Sequence, residues 1–205
     1  MPKKLDPKTL PLPVQTAYMI SAIGECLMAW ATAEAQLYFL FTAQMVHQSE
    51  NPQRYIVAGN VWSAIISFET KMRVLHGVID ANIKDSTARE NWALIYNYVT
   101  MMVGKRNEVA HGTIVNVDDK EIVLQPFQWH IPHKRKALSL VQLKKRTADF
   151  VELHDTLAWI SLQFSLLVKP CPKMHQPTPD LVLRLQKQAA QNRAKKKHRP
   201  QSSEA

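Results

Sequence analysis

The sequence predicts an all-α fold, an up-and-down bundle of four to five long helices with a small β-hairpin inserted between the third and fourth helices and a basic C-terminal tail. Three observations carry that prediction. Four long segments repeat apolar residues at alternating three- and four-residue steps, the spacing that lines one face of a helix. Two short β-rich runs flank a polar turn between the third and fourth of these segments. A proline-rich stretch then separates the helices from a run of cations near the end of the chain.

The first stripe runs Ile20, Ile23, Leu27, Trp30, Glu34, Leu37, Phe41, and the second Val61, Ile65, Phe68, Met72, Leu75, Ile79. The third begins at a capping box, Thr87 with Glu90, and continues through Trp92, Ile95 or Tyr96, Val99 and Met102 or Val103 to Arg106. In such a box the two side chains reciprocally satisfy backbone N–H groups at the helix start. A second box, Ser139 with Gln142, opens the fourth helix, whose stripe is Phe150, Leu153, Leu157, Ile160, Phe164, Leu167. Four amphipathic helices can bury these stripes only against one another, which makes a bundle the economical solution. The hairpin is expected at about residues 113–125, with Asp118-Asp119-Lys120 at its tip.

Residues 14–168 thus form the bundle domain. Residues 1–13 read as an extended arm, positively charged but without the apolar core and small-residue cleavage site of a secretory signal. Residues 169–179 hold four prolines and form a linker, and residues 180–205 form a basic tail with a short helix capped by Asp180 before a polar end. Glu25 and Glu34 interrupt the apolar stretch from Val14 to Val46, so no membrane span is expected. Cys26 and Cys171, far apart in a chain of 205 residues, do not suggest a disulfide framework and fit a reducing cytoplasm.

The formal net charge is +9. Seven cations and no acid lie between Leu181 and Arg199, so residues 180–205 carry +5 and residues 1–179 only +4. Such a distribution favours a polyanionic partner through counterion release, nucleic acid before an anionic membrane surface.

Chemistry concentrates in Arg106-Asn107-Glu108-Val109-Ala110-His111-Gly112. Arg106 continues the apolar stripe of the third helix, and Asn107 and His111 are i, i+4 neighbours. A fixed charge, an amide and an imidazole converge where further core residues are expected. Gly112 is the residue type that ends helices in the left-handed conformation, which puts His111 in the last turn. An imidazole there suits proton transfer.

These residues resemble the signature of the HEPN superfamily (higher eukaryotes and prokaryotes nucleotide-binding): an arginine, an adjacent polar residue, and a histidine four to six residues after the arginine. The resemblance covers roughly Val14 to Val168, since that family is a four-to-five-helix bundle with its motif near the end of the third major helix. It implies metal-independent endoribonuclease activity without a cofactor. His111 would move protons, Arg106 would hold the phosphate and Asn107 would orient either of them, in a cleft shared by two copies of the chain. It also implies a toxin or defence role, with RNA as partner and an antitoxin protein as a possible second one. Not every such protein is a nuclease, so the alternative is a non-catalytic HEPN-like module that binds nucleic acid or a protein.

Supporting candidates are fewer. Glu34 on the first stripe and Lys71 beside the second suggest a cross-helix ion pair, or a carboxylate and an ammonium lining the cleft. Lys105, next to the motif, and the cluster His130, His133, Lys134, Arg135, Lys136 after the hairpin are candidate RNA contacts. Two histidines with no further ligand nearby do not make a metal site, and none is expected. Trp30, Trp62, Trp92 and Trp159 lie on or near stripes and are assigned to the core. No glycine-rich phosphate loop or nucleophile elbow occurs.

Overall fold

The computed structural model describes residues 9–46, 51, 53–126, 136–168 and 177–197. Among these residues the chain is mostly helical. Its order is α1 (Leu12–Met45), α2 (Gln53–Ala64), α3 (Phe68–Asn82), α4 (Ser86–Ala110), β1 (Gly112–Val117), β2 (Glu121–Pro126), α5 (Leu140–Val168) and α6 (Asp180–Lys197). The chain divides into two compact units, Met1–Ala35 with Met101–His154, and Gln36–Thr100 with Asp155–Ala205. Helices α1, α4 and α5 each begin in one unit and end in the other.

Helix α1 starts at Leu12, two residues before the expected start of the bundle domain at residue 14, so Leu12 and Pro13 belong to the helix and not to an extended arm. The Pro11 carbonyl accepts from the N–H groups of Val14 and Gln15 at 2.9 and 3.0 Å, and Pro13 sits in the first turn, where its missing N–H costs nothing. The buried face of α1 is out of phase with the expected one in its first half, where Met19, Ala22 and Cys26 are buried and Ile20 is 57% exposed; further along, Trp30, Leu37 and Phe41 of the expected stripe are buried. Apolar residues surround nearly the whole of this helix, so periodicity alone marks its core face poorly.

The second stripe is divided between two helices. Its spacing continues through Val61, Ile65 and Phe68, yet α2 ends at Ala64 and α3 begins at Phe68. Ser67 has extended backbone, and its hydroxyl accepts from the Thr70 N–H at 3.4 Å, an N-cap that starts a new helix. The start of α4 differs by two residues from the expected box. Asp85 Oδ1 accepts from the Ala88 N–H at 2.7 Å, so Asp85 is the cap and Thr87 lies within the first turn. For α5 the box forms as expected: the Gln142 N–H reaches Ser139 Oγ at 3.4 Å, and the Ser139 N–H reaches Gln142 Oε1 at 2.9 Å.

In the first unit, β1 and β2 pair antiparallel from Gly112↔Pro126 to Val117↔Glu121. Asp118 and Asp119 have φ of 52° and 53°, and the Lys120 N–H bonds to the Val117 carbonyl at 3.1 Å. Positive φ at both central residues matches the right-handed twist of a hairpin, and aspartate tolerates it better than most side chains. Gln15 fixes the hairpin from α1. Its Nε2 donates to the carbonyls of Leu10 and Lys120 at 2.8 and 3.3 Å, while its Oε1 accepts from the Ile122 N–H at 3.3 Å. Leu138 pairs with Leu124 through two backbone hydrogen bonds of 2.8 and 2.9 Å. Trp30 and Phe150 meet edge-on in the core, their centroids 5.3 Å apart.

The second unit packs Leu37, Phe41, Trp62, Met72, Leu75, Ile79, Trp92, Ile95, Ile160 and Phe164. Asn82 Nδ2 donates to the Gln44 carbonyl at 2.7 Å and ties the end of α3 to α1. Helix α6 is longer than the short helix expected after the linker. Asp180 does not cap it but sits in its first turn, where a carboxylate complements the helix dipole. Leu181 and Val182 are buried. Among the described residues, no helix is long and apolar enough to cross a membrane.

Candidate active site

The motif closes helix α4 within the first unit. Val99, Met102 and Val109 are buried on its inner face, and this packing fixes where the intervening residues project. Arg106 is half-buried rather than exposed. Its Nη1 donates to Asn107 Oδ1 at 3.0 Å, and its buried Nε has no hydrogen-bond partner among the described residues. Because a guanidinium only donates, this contact sets the orientation of the Asn107 amide, turning the oxygen to Arg106 and leaving the NH₂ to donate elsewhere. The Arg106 guanidinium and the Asn107 NH₂ together offer N–H donors, a composition suited to an anionic oxygen.

His111 follows the last residue of α4, and its N–H closes a turn on the Asn107 carbonyl at 3.0 Å. Its side chain is exposed and makes no hydrogen bond or ion pair with the described residues. Gly112 plays a different part from the one expected. No glycine among the described residues has positive φ, because the chain leaves the helix straight into β1 without the reversal that a left-handed cap produces. The constraint is instead one of space. A Cβ on Gly112 would meet the Leu124 side chain at 2.7 Å and the Glu108 carbonyl at 3.0 Å. Leu124 is fully buried, so any shift must be taken up by the core around it. Gly112→Ala is therefore expected to destabilise the protein by about 1–3 kcal/mol, as overpacking does. Urea denaturation would report this, and an unchanged midpoint would show that the junction has slack.

Helix α5 holds the motif from behind through contacts that sequence spacing does not reveal. Arg146 donates from Nη1 to the Lys105 carbonyl at 3.0 Å and from Nη2 to the Glu108 carboxylate. The pair is largely enclosed, with side chains 15% and 21% exposed. Lys105 forms a second ion pair with Asp149 at 3.4 Å, so the cation expected to face RNA is already engaged on one side. Below this layer Cys26 is buried, and desolvation pushes its thiol above the usual range. A hydrogen bond with Thr147 and the charge of Arg146 oppose that rise, while Asp149 adds to it. A thiol held in its protonated form there is a packing group, not a nucleophile.

Glu34 is half-buried in the first unit. Lys71 belongs to the second unit, where its Nζ lies 5.3 Å from the centre of the Trp62 ring. Lys136 is exposed, and His130, His133, Lys134 and Arg135 lie outside the described residues. Trp30, Trp62, Trp92 and Trp159 are buried, as assigned. Among the described residues, no three His, Cys, Asp or Glu side chains come together as a metal-holding group.

A cleft that the sequence did not single out lies between α3 and α4 in the second unit. Its volume is about 420 Å³, and its lining includes His76, Asp80, Arg89, Glu90 and Trp92. Trp92 Nε1 donates to His76 Nδ1 at 3.0 Å, which leaves the neutral imidazole's proton on Nε2. Arg89 and Asp80 pair across the rim.

Compared with known protein families, curated proteins and solved structures, the chain matches none.

Proposed function

We propose that this chain is a metal-independent endoribonuclease of the HEPN type, an up-and-down helical bundle acting as a homodimer in the cytoplasm, in a toxin or defence role restrained by an antitoxin partner. The observation that carries the reading is the donor cluster at the end of α4. A half-buried guanidinium is bonded to an amide whose NH₂ remains available, and an exposed imidazole follows one turn later.

The chemistry follows from those groups. In RNA the 2′-hydroxyl attacks the neighbouring phosphorus once a base takes its proton, and the 5′-oxygen leaves once an acid supplies one. His111 of one copy serves as base and His111 of the second as acid. Arg106 and the Asn107 NH₂ hold the non-bridging oxygens, whose negative charge grows in the transition state. The products are a 2′,3′-cyclic phosphate and a free 5′-hydroxyl.

A second reading, a non-catalytic module that binds nucleic acid or a protein, is favoured by the acid-free run of cations in α6. Product analysis separates the two. Purified protein incubated with RNA and excess chelator is expected to yield cyclic-phosphate ends. Cleavage that stops when metal is removed, or binding without turnover, would overturn the nuclease reading.

A further inference from the structure

We propose that α6 is a preformed arm that grips the phosphodiester backbone of a nucleic acid, at a surface separate from the α4 motif in sequence and chemistry. The first two turns of the helix are a seat. Leu181 and Val182 are buried, Leu185 is half-buried, and Gln186 Nε2 donates to Asn91 Oδ1 at 2.8 Å. Asn91 is itself only 9% exposed. A hydrogen bond to a buried amide is costly to break, so this seat fixes the direction in which the rest of the helix runs.

Beyond Gln186 the helix changes character. Through Lys195 every residue except Ala189 is exposed. Lys187, Arg193, Lys195, Lys196 and Lys197 follow with no acid among them. Lys187, Gln191 and Lys195 recur every four residues and so share one ridge of the helix, spanning about 12 Å. Arg193 projects from the opposite side. Ala189, Ala190 and Ala194 keep the helix formed without covering any of these groups.

Three cations elsewhere among the described residues have carboxylate partners. Arg89 has Asp80, Lys105 has Asp149 and Arg146 has Glu108. From Lys187 onward, no carboxylate of α6 lies within a turn of any of its cations. A row of cations without acids gathers counterions from solvent, and a polyanion is favoured there because it releases them. A charged tail that served solubility alone would need neither a helix nor a buried amide to orient it.

The test uses the full chain in the His111→Ala background, so that binding is read without cleavage. Lys187, Arg193 and Lys195 are all replaced by glutamine, which preserves helix propensity, and the circular dichroism of the variant checks that α6 remains seated. With single-stranded RNA and DNA probes of equal length, the two lost contacts on the ridge of Lys187 and Lys195 should reduce the salt slope of log K by about 1.4 and weaken binding about 25-fold near 0.1 M salt. RNA and DNA should be affected alike, because only the shared backbone is gripped. Equal affinity and slope in the variant would overturn the proposal, and so would binding to phosphatidylglycerol vesicles without binding to either nucleic acid. Failure of the nuclease reading would leave this binding intact. Failure of the arm would leave cleavage by otherwise wild-type protein carrying the three glutamines undiminished.

Discussion

His111→Ala is expected to lower RNA cleavage by about 10²–10⁴-fold while leaving stability within about 0.5 kcal/mol of the parent. The two halves of that expectation come from different observations. The imidazole is exposed and bonds to none of the described side chains, so its removal strands no partner among them. Its backbone N–H, which closes the turn on Asn107, survives in alanine. On the nuclease reading, proton transfer is the work that the side chain loses. Single-turnover cleavage and a denaturation curve, measured on the same preparation, decide the matter. A variant that cut RNA at half the parental rate or faster would remove His111 from the chemistry. One that lost activity and stability together would make it a structural residue.

Arg146→Ala is expected to cost about 2 kcal/mol, with a melting temperature lower by about 4–8 °C. One guanidinium serves both a backbone carbonyl of α4 and the Glu108 carboxylate, in a place largely closed to water. Charge-assisted hydrogen bonds there are worth more than exposed pairs, whose median contribution is small. Arg146→Lys keeps the charge but loses the fork, and so should recover only part of the loss. A double-mutant cycle with Glu108→Gln would isolate the shared term. A loss below about 0.5 kcal/mol would mean that the contact contributes no more than a surface pair. Because the same contact fixes the end of α4, the alanine variant should also cleave RNA more slowly at temperatures where it remains folded.

Much of the fold was legible because its signals are local. The Ser139–Gln142 box, the hairpin tip at Asp118-Asp119 and the change of character after the proline-rich stretch each depend on residues a few positions apart. The break between α2 and α3 was hidden for a related reason. Val61, Ile65 and Phe68 stay in phase across it, and neither glycine nor proline marks the joint. Only Ser67, three residues before Thr70, hints at a new start. The cap of α4 was ambiguous because Asp85, Ser86 and Thr87 are all good capping residues. Within the candidate site, Arg106, Asn107 and His111 could be selected by spacing along a single helix. Arg146 could not, since its link to Glu108 crosses 38 positions and exists only once α5 packs on α4. Gly112 was singled out correctly, but for its backbone freedom when the lack of a side chain is what matters.

The first compact unit is assembled from two stretches, Met1–Ala35 and Met101–His154, with residues 36–100 synthesised between them. At a ribosome's pace of roughly 5–20 residues per second, the first stretch waits on the order of 3 to 13 s for its packing partners to emerge. Its helical part offers water two carboxylates, Glu25 and Glu34, and little other charge. During that interval the nascent chain is a client for chaperones that bind apolar segments, and the yield of folded protein becomes a matter of translation speed and temperature as much as of final stability.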